Sequence, residues 1–185
     1  MTTNLPHLGP VRIATAGEAL IDLITEADGR LQPCAGGAVY NLTRALAVQG
    51  MGVSYLNPLS SDRFGRHMAD AFRSAGVHMA LPQPVTQPTS LALVGLDEDG
   101  KASYSFYRDG VADRQISADL LNRACDTEPG LRIVATGGLA LVPEDSDKYL
   151  PWLARQRSAG RLVAVDANLR PAMACDLQAY RDNVM

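Results

Sequence analysis

Short apolar runs alternate along the chain with stretches in which apolar residues recur every three or four positions, and this predicts strands followed by helices. Val11 to Gly17 reads as a first buried strand closed by a glycine. Ala19 to Glu26 continues extended, Asp28-Gly29 is a hairpin signal, and Leu31 to Cys34 returns. Ala38 to Gln49 is a helix that Gly50 or Gly52 can cap. Its apolar positions are Val39, Leu42, Ala45, Leu46 and Val48, with Arg44 its only charge, so it is expected in an interior layer, covered on most sides. Val53 to Leu59 is the next strand. Phe64, Met68, Ala71, Phe72 and Ala75 then form the stripe of an amphipathic helix, capped by Ser61 or Asp62 and ended by Gly76.

Pro82, Pro84 and Pro88 keep the following stretch irregular. A second hairpin is expected from Thr89 to Leu96 and Ala102 to Arg108, with Ala102, Tyr104, Phe106 and Arg108 on one face of the return strand. Ser117 can cap a helix through Leu120, Leu121 and Ala124, and Leu131 to Thr136 is a strand ending at Gly137-Gly138. Glu144 to Ser158 is helical, with Pro151 tolerated near the first turn or at a kink. Arg161 to Asp166 is another strand, and Asp176 caps a last helix. The alternation predicts an α/β body: a parallel sheet with helices on both faces. The two hairpins break that rhythm and predict a small antiparallel sheet inserted into it.

Composition narrows the class. With 185 residues, 46% hydrophobic and 20% charged, the chain has the length and apolar content of one globular domain. A net charge of -3 argues against a general nucleic-acid binder. No apolar run approaches the ~20 residues that span a bilayer, and Met1 to Pro10 lacks a signal pattern, so a cytoplasmic protein with no membrane partner is expected. Cys34, Cys125 and Cys175 are odd in number and widely spaced, which suits free thiols.

Candidate chemistry gathers at a few positions, each with a plainer alternative. Asp22 stands where ligands bind in open α/β sheets, and a carboxylate accepts from two neighbouring sugar hydroxyls; it reads equally as a surface aspartate. Gly36-Gly37 lets backbone approach a ligand, with Asn41 behind it, or is merely a helix-entry turn. Phe106 and Arg108 suit a sugar face and edge or a substrate carboxylate, or Arg108 protects a sheet edge. Asn168 and Arg170 share one side of a strand end, where a guanidinium would stabilise a transferring phosphoryl group, or they belong to an ordinary loop.

Gly17-Glu18-x-x-Ile21-Asp22, Gly36-Gly37-x-x-x-Asn41-x-x-x-Ala45-Leu46-x-x-x-Gly50, Ser61-Asp62-x-Phe64-Gly65, Phe106-Tyr107-Arg108 and Asp166-x-Asn168-x-Arg170-Pro171 follow one another in that order. In this pattern the chain resembles the amino-terminal half of the ribokinase-type (PfkB) carbohydrate kinases. The Phe106-Tyr107-Arg108-Asp109-x-x-Ala112-Asp113 stretch is closest to the fructokinase form. Ala167 departs from the family, which often has proline there.

The resemblance implies one ribokinase-like, Rossmann-like domain over 1–185, incomplete at its carboxyl end, with a β-sheet lid formed by about 20–34 and 89–108. It implies transfer of the ATP γ-phosphoryl group to a sugar hydroxyl, with Mg²⁺ on the phosphates. Asp22, Gly36, Gly37, Asn41, Phe106 and Arg108 would bind the sugar, Gly36-Gly37 would hinge the lid, and Asn168 and Arg170 would lie near the ATP phosphates. Lid strands with apolar faces are expected to pair in a homodimer. The family's Gly-Ala-Gly-Asp segment, whose Asp is the base, does not occur in these 185 residues, so the chain alone is expected to be inactive. Rival readings are a 2-keto-3-deoxygluconate kinase, a nucleoside kinase and a non-catalytic sugar-binding or regulatory fragment. A dinucleotide-binding domain would need Gly-x-Gly-x-x-Gly after the first strand, and Gly17-Glu18-Ala19-Leu20 lacks it.

Overall fold

The structure, a computed structural model, describes residues 10–96, 102–168 and 176–185. Strands β1 (Ile13–Ala16), β2 (Leu20–Thr25) and β3 (Leu31–Gly36) precede helix α1 (Ala38–Val48), and β4 (Val53–Tyr55) precedes α2 (Arg63–Ala75). Then come β5 (His78–Met79), β6 (Ser90–Leu96), β7 (Ala102–Tyr107), α3 (Ala118–Asp126), β8 (Ile133–Gly137), α4 (Ser146–Ser158), β9 (Leu162–Asp166) and α5 (Leu177–Val184). Five strands make a parallel sheet in the order β5-β4-β1-β8-β9. Side-chain alternation along β1 splits the core between its two faces. Ile13 packs with Val39, Tyr40, Met68 and Phe72 from α1 and α2, whereas Ala14 and Ala16 pack with Leu121, Trp152 and Leu153 from α3 and α4.

The four remaining strands form a second sheet, β3-β2-β6-β7. It is mixed rather than antiparallel as expected: both hairpins are antiparallel, but they join through the parallel pair β2–β6. Between β3 and β6 the chain runs through α1, β4, α2 and β5, so the small sheet is joined to the body at both ends of that excursion. Asp62 fastens the second crossing. Its carboxylate caps α2 by accepting from the Gly65 N–H at 2.7 Å, and it also accepts from the N–H and hydroxyl of Thr89, each at 2.8 Å, immediately before β6.

Two local expectations fail for physical reasons. Helix α1 is not an interior helix: Val39, Tyr40, Thr43 and Ala47 are buried, but Leu42 and Ala45 face solvent and Val48 is 73% exposed. Helix α4 runs through Pro151 beyond its first turn, held by the burial of Tyr149, Trp152 and Leu153 on either side. Cys34 and Cys125 are free thiols, the latter accepting a hydrogen bond from the Trp152 indole N–H; Cys175 and the Asp97–Gly100 turn lie outside the described residues. No helix of the described residues is long and apolar enough to cross a membrane.

Candidate active site

Between the small sheet and the carboxyl ends of the parallel strands lies a cavity of about 240 Å³. Glu18 follows β1, Gly138 and Leu139 follow β8, and Asn168 follows β9, so the body supplies three strand ends to its floor. This is where open α/β sheets bind ligands, because loops there diverge and leave a crevice. Gly37, Ala38 and Asn41 contribute the amino end of α1, and Leu20, Asp22, Tyr104 and Phe106 contribute the small sheet. Register explains the last group. Asp22 pairs with Ala92, which pairs with Phe106, so the three side chains form one row on one sheet face. Tyr104 and Phe106 stack at 5.9 Å between ring centroids, giving that row an aromatic wall.

The paired glycines each make room for a carboxylate-bearing residue. A β-carbon at Gly36 would stand 2.1 Å from Asp22 Oδ2. At Gly37, φ is +101° and a β-carbon would stand 2.8 Å from the Glu18 carbonyl oxygen. Gly37 therefore enters α1 without a side-chain cap of its own, and Glu18 serves instead: Oε1 accepts from the Ala38 N–H at 2.8 Å and the Val39 N–H at 3.4 Å. Burial pushes the Glu18 carboxyl above its ordinary range, opposed by backbone N–H groups and the charge of Arg108. Burial likewise raises Asp22. Sequence reasoning quoted Glu18 within a motif and gave it no role. The signal was present, since a lone acid between Gly17 and the buried run Ala19 to Ile21 needs partners.

Arg108 lies elsewhere. Its guanidinium is 8% exposed, 3.5 Å from Asp113 and 3.9 Å from Asp145, whose carboxylate also pairs with Arg114 at 3.0 Å and Lys148 at 2.7 Å. Burial would weaken the Arg108 charge, but Asp113, Asp145 and Glu18 together more than restore it, and the residue keeps its proton. Ser90 donates to Asp113, and the Asn57 amide donates to the Asp113 carbonyl at 2.8 Å and to the Tyr149 hydroxyl at 2.7 Å. Asn57 in turn accepts from the Gly17 N–H at 2.9 Å, one residue before Glu18. Asn57 and Asp145 were given no role in the sequence reading, and Asp113 stood only within the fructokinase-like stretch. This cluster backs a larger cavity, about 550 Å³, walled by Leu91, Tyr107, Val111 and Val142; Phe106 borders both cavities, and Arg108 borders only the larger.

Thus Asp22, Gly37, Asn41, Phe106 and Asn168 share one cavity, Gly36 abuts its Asp22, Arg108 is outside it, and Arg170 lies outside the described residues. Among the described residues, none lining the cavity is a cation, and the α1 amino end is taken by Glu18. Asp22 and Asn41 give that lining hydrogen-bonding groups beside an aromatic face, and the described residues contain no cluster of three or more potential metal ligands.

An α/β body whose strand ends are roofed by a small second sheet, with a carboxylate and aromatic wall, defines a small-molecule site of the ribokinase-like kind. The pfkB family carbohydrate kinase profile matches residues 12–184, and the chain belongs to that family. It is 29% identical over 173 residues to a fructokinase of Rhizobium leguminosarum bv. trifolii, covering 91% of this chain and 52% of that protein. A Xylella fastidiosa fructokinase solved with bound ATP superimposes with a TM-score of 0.80 at 28% identity, over 96% of this chain and 59% of that one. A Vibrio cholerae fructokinase solved with fructose, ADP and calcium gives 0.71 at 25% identity, over 95% and 56%. The chain thus spans a little over half the length of these relatives.

Proposed function

We propose that this chain supplies the sugar-binding part of an ATP-dependent carbohydrate kinase, with fructose as the acceptor. One observation carries the reading: a cavity close to monosaccharide size, at the strand ends of a PfkB-family fold, joins Asp22, Asn41 and a stacked aromatic pair. Asp22 accepts hydrogen bonds from two adjacent hydroxyls, Asn41 donates to a third oxygen, and Phe106 covers the apolar face of the ring. The small sheet acts as a lid that excludes water, with Gly36-Gly37 as its hinge. ATP and Mg²⁺ enter from the family reading, with Asn168 and Arg170 toward the phosphates. The described residues do not make the nucleotide site, so no phosphoryl-transfer step is drawn through them. The setting is cytoplasmic, and the apolar Ile24, Leu31 and Tyr107, exposed on the small sheet, form a homodimer contact.

The test is calorimetry on the 185-residue chain with fructose, ribose, 2-keto-3-deoxygluconate and adenosine, beside a coupled ADP assay. Fructose is expected to bind, and ADP release to stay at background because the base-bearing segment is absent. Binding of adenosine alone would overturn the sugar reading. Turnover above background would show that the base lies within this sequence.

A further inference from the structure

A third cavity, of about 270 Å³, lies between α2 and the chain that follows β5, and it shares no lining residue with the two already described. Every residue around it falls within the unbroken described stretch 10–96. The sequence makes the room and holds it open. Gly65 and Ala69 give this face of α2 no bulk, and the helix comes so close to the preceding loop that a β-carbon at Gly65 would stand 2.1 Å from the Ser60 carbonyl oxygen. The opposite wall is pinned by backbone. The Ala80 N–H donates to the Tyr55 carbonyl and the Val85 N–H to the Leu59 carbonyl, each at 3.0 Å, and the Ser61 N–H donates to the Val85 carbonyl at 2.7 Å. The cavity is therefore preformed, as ligand pockets usually are.

Its lining says which ligand. Leu59, Met79, Leu81 and the rings of Pro82 and Pro84 supply apolar surface. Thioethers and proline rings are favoured neighbours of aromatic rings. Charge stands at the mouth, where α2 sets the exposed Arg66, Asp70 and Arg73 on one side by their i, i+4 and i+7 spacing. Asp70 is held by Arg73 at 2.6 Å. The Arg66 guanidinium donates to the Ser61 carbonyl, a neutral acceptor that leaves its charge uncancelled. A guanidinium carries a fork of N–H donors, so Arg66 keeps others for a carboxylate.

We propose that this third cavity is a binding site for a small aromatic carboxylate: the ring packs on Met79, Leu81 and the two prolines, and the carboxylate takes the Arg66 guanidinium at the mouth. The site is separate from the sugar-binding reading and does not depend on it, since no residue serves both cavities.

Naphthylacetate and its amide, naphthylacetamide, are the probes, titrated into the isotopically labelled 185-residue chain with backbone amide shifts as the readout. The acid is expected to shift the amides of Ala69, Arg73 and Leu81 and to bind about fivefold tighter than the amide, the upper end for an exposed ion pair. Arg66→Gln is expected to bring the two affinities together. Ala69→Leu fills the cavity and is expected to weaken both ligands about tenfold, as for an overpacked site. Arg66 is exposed and Ala69 half-buried, so both variants are expected to melt like the wild-type chain; the comparison of acid with amide needs neither of them. Absence of shifts at these amides, equal binding of acid and amide by the wild-type chain, or unchanged binding of both by Ala69→Leu would each overturn the proposal. Fructose binding is read separately at Asp22 and Asn41, so failure of this site and failure of the sugar reading are told apart.

Discussion

The molecule holds two acidic clusters at the junction of its sheets, each beside a cavity, and they differ in the cations they hold. Around Asp113 and Asp145, three cations meet two buried carboxylates at the back of the larger cavity, and Ser90 and Asn57 donate to Asp113. Around Asp22 and Glu18, two carboxylates face a cavity that no described cation lines. Both clusters touch Phe106 or its neighbour Arg108, and both belong to the junction of the two sheets. The difference teaches that burial with pairing makes a structural joint, whereas burial without pairing leaves capacity for a ligand. It also gives Arg108 a place in the ion-paired joint between the small sheet and the body.

The largest expected effect follows from that pairing. Arg108→Ala leaves Asp113 and Asp145 facing each other without their shared cation, and is expected to cost about 3–5 kcal/mol, the range for breaking a buried pair. Urea unfolding measures it. A loss below about 1 kcal/mol, the size of a surface pair, would erase the contrast between the clusters.

The cluster at the small cavity should behave in the opposite way. Asp22→Asn is expected to weaken fructose binding by about 1.5–3 kcal/mol, as for a hydrogen bond to a charged group, without loss of stability. The sign follows from burial. The Asp22 carboxyl is raised in the folded chain, so the folded state takes up its proton first as pH falls. Its penalty is full above the raised value and is relieved as pH drops toward the ordinary aspartate range. Asp22→Asn is therefore expected to be the more stable protein at neutral pH, with the gap closing in acid, as thermal melts across pH would record. A variant less stable at neutral pH would place Asp22 with the structural acids. Gly36→Ala should mimic the binding loss, because its methyl group takes the space of Asp22 Oδ2.

Asp62 gives an intermediate case, an acid that is structural yet partly exposed. Burial raises its carboxyl, but hydrogen bonds from Gly65 and Thr89 outweigh this and hold it below the ordinary value. Its contribution is present above the unfolded pKa and is lost as pH falls through the lowered folded one. Asp62→Ala is expected to cost about 0.5–2 kcal/mol, as for a lost helix cap, and to matter less in acid. An equal cost at all pH values would mean that packing, not charge, sets it.

Much of this was legible in the sequence. Turn glycines, caps at Asp62, Ser117 and Asp176, and helical spacing located the elements, because those signals are local. Asp22, Gly36-Gly37 and Asn41 stood out for the same reason. The ion pairs of Arg108 were not legible, because strand alternation says nothing of them. The strand β7 ends at Tyr107, and the chain then turns through Gly110 at φ +61°, with Phe106 and Arg108 both bordering the larger cavity. The carboxylates beside Arg108 come from a short 3₁₀ turn, Ala112–Arg114, and from the residue just before α4, positions that no local pattern links to it. Glu18 was hidden for a similar reason, since its carboxylate is engaged by the start of α1, twenty residues on.

The smallest effect tests the outer layer against both clusters. Composition alone put α1 inside, yet its apolar residues point two ways, and Val48 is among the most exposed side chains described. Val48→Lys is expected to change stability by no more than about 0.5 kcal/mol, the scale of surface substitutions, because the new stem lies along the surface and its charge near the α1 carboxyl end meets the helix dipole favourably. A cost of about 2 kcal/mol or more, the scale of losing a buried side chain, would mean that another surface covers α1 in solution. Val48 ends α1, whereas Ala38 and Asn41 at its start line the small cavity, so covering Val48 would leave that cavity's acids as they are, and the contrast would still turn on the cations around Asp113 and Asp145.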